Sequence, residues 1–173
     1  MPQPLAAAAQ ATVATLVANS ATPGDALRGL APLASFTPVG ADIGAAAVAR
    51  TQTALLLRRA AVTAMVSAAT AYQPASSQDA AAVRSFVVAF IDAEMQTAGD
   101  SGDDEVFAQM RALRTAVVDD LNSRGARLPA IRTVSHPTSL PAFVLAQRLY
   151  QDATREADLE DVFVSLTSSA KAA

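Results

Sequence analysis

Few side chains in this sequence could perform catalysis, and the first pair of interest is Ser135 beside His136. Nucleophilic catalysis joins a serine to a histidine that takes its proton, with a third group that orients the histidine. Nothing in the sequence marks that third group, and Pro137 follows the single histidine directly. We therefore interpret His136 as a residue of an extended connector, since an enzyme built near it would need a deep pocket with two carboxylates.

Acidic residues form the second set. The run from Asp100 to Glu105 could offer oxygen ligands to calcium, but it lacks the ligand spacing of a twelve-residue calcium loop. Acids in front of an apolar helix stabilise its N-terminus, and we favour that role. The pairs Asp119/Asp120 and Asp152/Asp158 could act in acid–base chemistry, although neighbouring arginines favour surface ion pairs. We expect no catalytic residue, no metal and no cofactor, and hence no enzyme.

Composition limits the classes of partner. The sequence is rich in alanine, with 6 Phe, 2 Tyr and no Trp, so large core-forming side chains are scarce. Alanine favours helix and close helix approach but buries little area per residue, so a partner or self-association could supply the missing burial. The net charge of -3 argues against binding to nucleic acid. The absence of Cys excludes disulfides and thiolate metal sites.

The apolar periodicity predicts an all-α fold, an irregular bundle of about five to six helices with an extended Pro-containing connector before the last helix. The segment Asp42–Tyr72 is apolar around almost its whole circumference, which predicts a central or partner-covered helix. The other expected features are a helix over Leu5–Asn19, a short helix capped at Thr22, a Ser cap after Gln73 and before a helix from Val83 to Met95, a polar loop over Ala98–Asp104, a helix stopped by Gly125, a connector over Leu128–Pro137, and a last helix from Thr138 or Ser139 to about Leu159.

The domain organisation follows from these elements. We predict a single helical domain over residues 1–159, with two subdomains, 1–72 and 78–159, as the alternative, and a frayed tail over residues 160–173. The apolar run Leu5–Ala18 is too short to span a membrane. It also lacks the cationic start of a signal peptide, because no Lys or Arg precedes Arg28. We therefore expect no membrane partner.

The most specific segment begins at Leu140 and reads Leu-Pro-Ala-Phe-Val-Leu-Ala-Gln-Arg-Leu-Tyr-Gln-Asp-Ala-Thr-Arg up to Arg155. Together with the preceding Arg114–Pro129, it resembles the C-terminal region of Mu-like phage DNA circularisation proteins. The resemblance covers about Val106–Asp158. The family's basic segment after the Arg-Leu-Tyr helix is replaced here by a run that begins at Leu159.

The resemblance implies a non-enzymatic structural protein of a phage or prophage tail, a helical docking module of the baseplate hub. Its partners would be other tail and baseplate proteins or further copies of itself. Its location would be the virion, or the bacterial cytoplasm during assembly. The alternative is a free-standing cytoplasmic helical regulatory or adaptor protein that binds a protein or peptide in an apolar groove.

A candidate contact face lies on the last predicted helix. Arg148, Asp152 and Arg155 recur there at i, i+4 and i+7, which allows an Arg148–Asp152 ion pair. Tyr150 combines apolar bulk with a polar tip, as interface residues often do. We predict that Arg148, Tyr150, Asp152 and Arg155 bind the partner. The alternative is a packing helix with surface ion pairs.

Overall fold

A computed structural model of the protein describes residues 3–40, 43–131 and 140–157, and within them the chain forms six α-helices, one short 3-10 helix and no strand. This confirms the predicted all-α fold. The helices are α1 (Gln3–Ala18), α2 (Pro23–Ala34), α3 (Ala45–Ala71), α4 (Ser77–Ser101), α5 (Asp104–Gly125) and α6 (Ala142–Tyr150), followed by the 3-10 helix Ala153–Arg155. The chain divides into two compact units, Met1–Ile131 and Arg132–Ala173.

Helix α3 is the centre of the first unit, as its apolar pattern predicts. It contacts α1, α2, α4 and α5. Its inward positions include Ala61, Val62 and Met65, all fully buried, and the side chains of Leu30 and Ile91 are equally enclosed. Because alanine supplies many of the inward positions of α3, neighbouring helices lie close to its backbone and the core is thin.

Side-chain caps begin three of these helices where the sequence predicts them. The Thr22 hydroxyl accepts a hydrogen bond from the backbone N–H of Asp25 at 3.1 Å, and Pro23 takes the first helical position. The Ser76 hydroxyl caps α4 in the same way. A carboxylate oxygen of Asp103 accepts from the N–H of Val106 at 3.3 Å. The acidic run before α5 therefore does supply a helix cap.

The connection between α4 and α5 is shorter than predicted. The polar loop expected over Ala98–Asp104 is wrong, because α4 continues to Ser101. Gly102 then ends the helix in the left-handed conformation, with φ at 68°. Helix α5 does end at Gly125, but for a different reason. A Cβ atom at that position would lie 2.9 Å from the Cβ of Ala80, so the glycine permits close approach of α4 and α5.

The start of α4 is bound to the chain that follows α5. The N–H of Ser77 donates to the carbonyl of Pro129 at 3.1 Å. The Gln78 amide donates to the carbonyl of Ile131 at 3.0 Å and accepts from its N–H at 2.9 Å. Residues 128–131 form no helix, as the predicted connector requires. The rest of that connector, with Ser135 and His136, lies outside the described residues.

In the second unit the last helix is shorter than predicted. The expected end near Leu159 is wrong, because α6 stops at Tyr150 and Gln151 adopts a positive φ of 57°. Asp152 then accepts hydrogen bonds from the N–H and hydroxyl of Thr154, a local pattern that competes with helix. Pro141 is the N-cap, so the predicted cap at Thr138 or Ser139 is also wrong. The tail predicted over residues 160–173 lies outside the described residues.

Candidate functional site

The four residues of the predicted contact face do not share one helical face. Because α6 ends at Tyr150, only Arg148 and Tyr150 lie in that helix, and within residues 140–157 no ion pair joins Arg148 to Asp152. The Arg155 guanidinium instead lies over the Tyr150 ring, 4.2 Å from its centroid. This cation–π contact brings together two of the four residues.

Asp152 has a structural role in this region. Its Oδ1 atom accepts from the Thr154 N–H at 3.0 Å and from the Thr154 hydroxyl at 2.7 Å. These hydrogen bonds hold the pKa of Asp152 below its usual value. The carboxylate therefore caps the 3-10 helix, and the other three predicted residues, Arg148, Tyr150 and Arg155, are also exposed.

A second surface, which sequence patterns do not mark as a site, is an apolar groove in the first unit. We call it the α3 groove. Helix α3 forms its floor, α1 and the turn after it form one wall, and the start of α5 forms the other. Its volume is about 850 Å³. The side chains that line its central part are Gln10, Val13, Ala14 and Val17 of α1, Ala60, Thr63, Ala64 and Ser67 of α3, and Val106, Gln109 and Met110 of α5.

The three helices around the α3 groove run in the same direction. Arg59, in the middle of α3, pairs with Asp103 at the start of α5. Arg124, near the end of α5, donates to the carbonyl of Ala69, near the end of α3. The start of α2, which directly follows the turn after α1, also lies near the end of α3, since a Cβ at Gly24 would lie 3.4 Å from the Tyr72 ring. The groove is therefore a parallel three-helix trough.

Exposed hydroxyl groups in the α3 groove are already satisfied by their own helices. Thr63 donates to the carbonyl of Arg59 at 2.9 Å, and Ser67 donates to that of Thr63 at 3.3 Å. After α1, the hydroxyl of Ser20, which also lines the groove, likewise donates to the carbonyl of Leu16 at 2.9 Å. Each hydroxyl can therefore be covered by a partner without leaving a buried donor unsatisfied.

A charged side chain lines the α3 groove at one end. Among the described residues that line it, Arg59 is the only charged one. Its Nη2 atom lies 3.2 Å from Asp103 Oδ2, and its Nε lies 3.7 Å from Glu94 Oε2. Glu94 is 2% exposed and also accepts from Arg58 Nε at 2.5 Å. Arg59 is thus held by α4 and α5, and the remaining length of the groove is uncharged.

The opposite end of α3 is fixed by a second polar cluster. The Tyr72 hydroxyl lies 3.0 Å from both carboxylate oxygens of Asp79 and donates to that group. Partial burial and the negative carboxylate raise the pKa of Tyr72 above 10.0. Arg124 donates to the carbonyls of Ala69 and Tyr72 and pairs with Asp120. The last carbonyls of α3 are therefore satisfied by a side chain from α5.

The surroundings offer little for catalysis or metal binding. The described residues hold no group of three or more His, Asp or Glu side chains placed to bind a metal ion. Helix α3 alone among the described helices is long and apolar enough to cross a membrane, and 33% of its apolar window is buried inside the protein. Arg58 and Arg59 of this helix are ion-paired with Glu94 and Asp103. Comparison with protein-family models and with curated proteins finds no match to either.

Proposed function

We propose that this protein is a non-enzymatic helical docking module of a phage or prophage tail, located in the baseplate hub. The observation that carries the docking role is the open α3 groove of about 850 Å³. The tail context rests on the resemblance of the segment from Arg114 to Arg155 to Mu-like DNA circularisation proteins. The groove supports a role in protein binding, and the resemblance supports tail or baseplate proteins as the partners.

The chemistry of the α3 groove favours binding over catalysis. A catalytic pocket converges a few polar groups with altered pKa values on one point. This groove instead presents alanine, valine and internally bonded hydroxyls along its length, and its one charged side chain, Arg59, is already ion-paired. Such a surface suits an apolar helix from another protein chain.

The second unit offers a smaller contact. Tyr150 is 42% exposed and carries the Arg155 guanidinium on its ring. Tyrosine and arginine are enriched among the residues that dominate binding energy at protein interfaces. We propose that Arg148, Tyr150 and Arg155 form an additional contact with a tail protein. Asp152 instead caps the 3-10 helix that positions Arg155.

Purified tail particles test this function directly. The gene would be expressed with its native tail genes, and particles would be isolated and analysed by mass spectrometry and cryo-electron microscopy. We expect the chain at a fixed stoichiometry, with helical density in the hub. Intact particles that lack the chain would contradict the proposal, and particles from a strain with the gene deleted provide the control.

The same groove could serve the alternative, a cytoplasmic adaptor that binds an amphipathic helix of a regulatory partner. Genes for the tail tube and spike beside this gene favour the tail protein, and their absence favours the adaptor. DNA binding is not part of the proposal, because the net charge is -3. A salt-dependent shift of DNA by micromolar protein would overturn that exclusion.

A further inference from the structure

We propose that two copies of this protein dimerise through α1, with α1 of each copy seated in the α3 groove of the other. This inference deepens the proposed docking function by naming one occupant of the groove. It rests on the match between the lining of the groove and the character of α1, and both belong to the first unit.

The face of an occupant that enters the α3 groove must be almost free of charge. Charged side chains that enter an uncharged trough would lose their hydration without gaining a partner. Among the described helices, α1 is the one without any Asp, Glu, Lys or Arg. The chain therefore carries its own suitable occupant.

The lengths of insert and groove also match. The floor of the α3 groove runs from Leu56 to Ala71, a stretch of sixteen residues, and α1 has 16 residues. At the helical rise each spans about 24 Å. A copy of α1 can therefore cover the floor along its full length.

The surface of α1 is apolar, but much of it is exposed to solvent in the single copy. Val13 is buried, whereas Leu5 and Val17 remain 42% and 37% exposed. The alanine positions 8, 11 and 14 are exposed as well. Small side chains let helices approach closely, so a second α1 can pack tightly against this face.

Symmetry makes the arrangement self-consistent. Since α1 is both a wall of its own groove and the insert of the other, one two-fold axis satisfies both contacts and closes the assembly as a dimer. The three helices around the groove are parallel, so an antiparallel insert opposes their dipoles. The two α1 helices therefore cross antiparallel, with residues 10 and 14 of opposite copies facing each other.

Sedimentation velocity of the full chain provides the first test. We expect a species of twice 17.7 kDa that dissociates on dilution. Ala14→Glu on α1 and Thr63→Glu on the floor both alter exposed side chains that line the groove, so each should weaken the dimer at least tenfold while the helical circular dichroism is retained. Thr115→Glu on α5 is the matched control for Thr63→Glu, because Thr115 is an equally exposed threonine bonded to a carbonyl four residues earlier but lies outside the groove.

Single cysteines provide the second test, because the sequence has none of its own. A mixture of Gln10→Cys and Ala14→Cys proteins should form mixed disulfides under mild oxidation, whereas Thr115→Cys, outside the groove, should not. A monomer at every accessible concentration, or disulfides through Thr115→Cys alone, would overturn the inference. Binding of monomers to phosphatidylcholine vesicles through α1 would also overturn it. A monomer found in tail particles would leave the proposed function intact, whereas a dimer absent from particles would contradict that function alone.

Discussion

The two sides of α3 differ in how they are completed. Toward α4 and α5, the helix is fixed by charged side chains, with Arg58 and Arg59 on a buried Glu94 and Arg124 on its last carbonyls. Toward α1 it presents Thr63 and Ser67 to an open groove, with their hydroxyls bonded inside the helix. The side toward α4 and α5 is held by ion pairs and hydrogen bonds within the chain, although Arg59 Nε, Glu94 Oε2 and Arg124 Nε have no hydrogen-bond partner there. The side toward α1 is suited to being covered by a partner.

The two sides of α3 therefore have different roles, one in folding and the other in binding a partner. Buried ion pairs contribute little net stability but strongly penalise arrangements that leave a charge unpaired, so they favour one register of α3, α4 and α5. Internally bonded hydroxyls impose no such penalty when a partner covers them or leaves. Substitutions on the closed side should therefore change stability, whereas those on the open side should change association.

The largest effect is expected at Glu94. Glu94→Ala removes the carboxylate that faces Arg58 and Arg59 and leaves two largely buried guanidinium groups with fewer partners. We expect a loss of about 3 kcal/mol in the free energy of unfolding, measured by urea denaturation followed by circular dichroism. Asp92→Ala is the control, because the Asp92–Arg114 pair is half exposed. Equal losses for the two variants would contradict the special contribution of the buried Glu94 cluster to stability.

A smaller effect is expected where α4 and α5 meet. Gly125→Ala places a Cβ 2.9 Å from that of Ala80, so the helices must separate, and we expect a loss of about 1 to 3 kcal/mol in the same denaturation experiment. Gly99→Ala is the matched control, because its new Cβ meets nothing closer than 3.9 Å. That variant should gain a few tenths of a kcal/mol or more from helix propensity. Full recovery of Gly125→Ala by Ala80→Gly would support the explanation.

The Tyr72 cluster predicts a dependence on pH. Burial and Asp79 raise the pKa of Tyr72 above 10.0, so the folded state holds its proton more tightly than the unfolded state does. This contribution is complete below pH 10 and is lost as the pH rises through the folded pKa. Stability should therefore fall more steeply above pH 10 in the unmodified protein than in Tyr72→Phe. Parallel pH profiles of the two proteins would contradict this role of Tyr72.

The smallest change in folding stability is expected on the open side. Thr63→Glu replaces an exposed side chain on the floor of the α3 groove. In dilute protein, we expect its free energy of unfolding to lie within about 0.5 kcal/mol of the original. The same variant should lose the concentration dependence of sedimentation. A large loss of stability in the monomer would show that the groove belongs to the core.

Much of the first unit follows from local sequence signals. The caps at Thr22 and Ser76 and the central position of α3 follow from residue type and apolar periodicity. The end of α6 does not, because the hydrogen bonds of Asp152 to Thr154 compete with a helical pattern that continues past Tyr150. After Tyr150 the apolar periodicity predicts a continued helix, whereas the side-chain hydrogen bonds of Asp152 favour a turn.

The candidate surfaces were harder to predict. Periodicity identifies apolar helix faces but does not say which of them another helix of the same chain covers, so it could not locate the α3 groove. One signal was available, since the run over α1 contains no charged residue at all. The prediction that Arg148, Tyr150, Asp152 and Arg155 share one face requires one continuous helix. The turn at Gln151 interrupts that helix.

The most direct test of the account is a filtered nuclear Overhauser experiment on a mixture of isotope-labelled and unlabelled protein. It detects contacts between copies only. We predict contacts from the Val17 methyl groups of one copy to Val106 and Met110 of the other, and the loss of these contacts in Thr63→Glu. Contacts between copies that avoid the α3 groove, or none in a sample that sediments as a dimer, would contradict it.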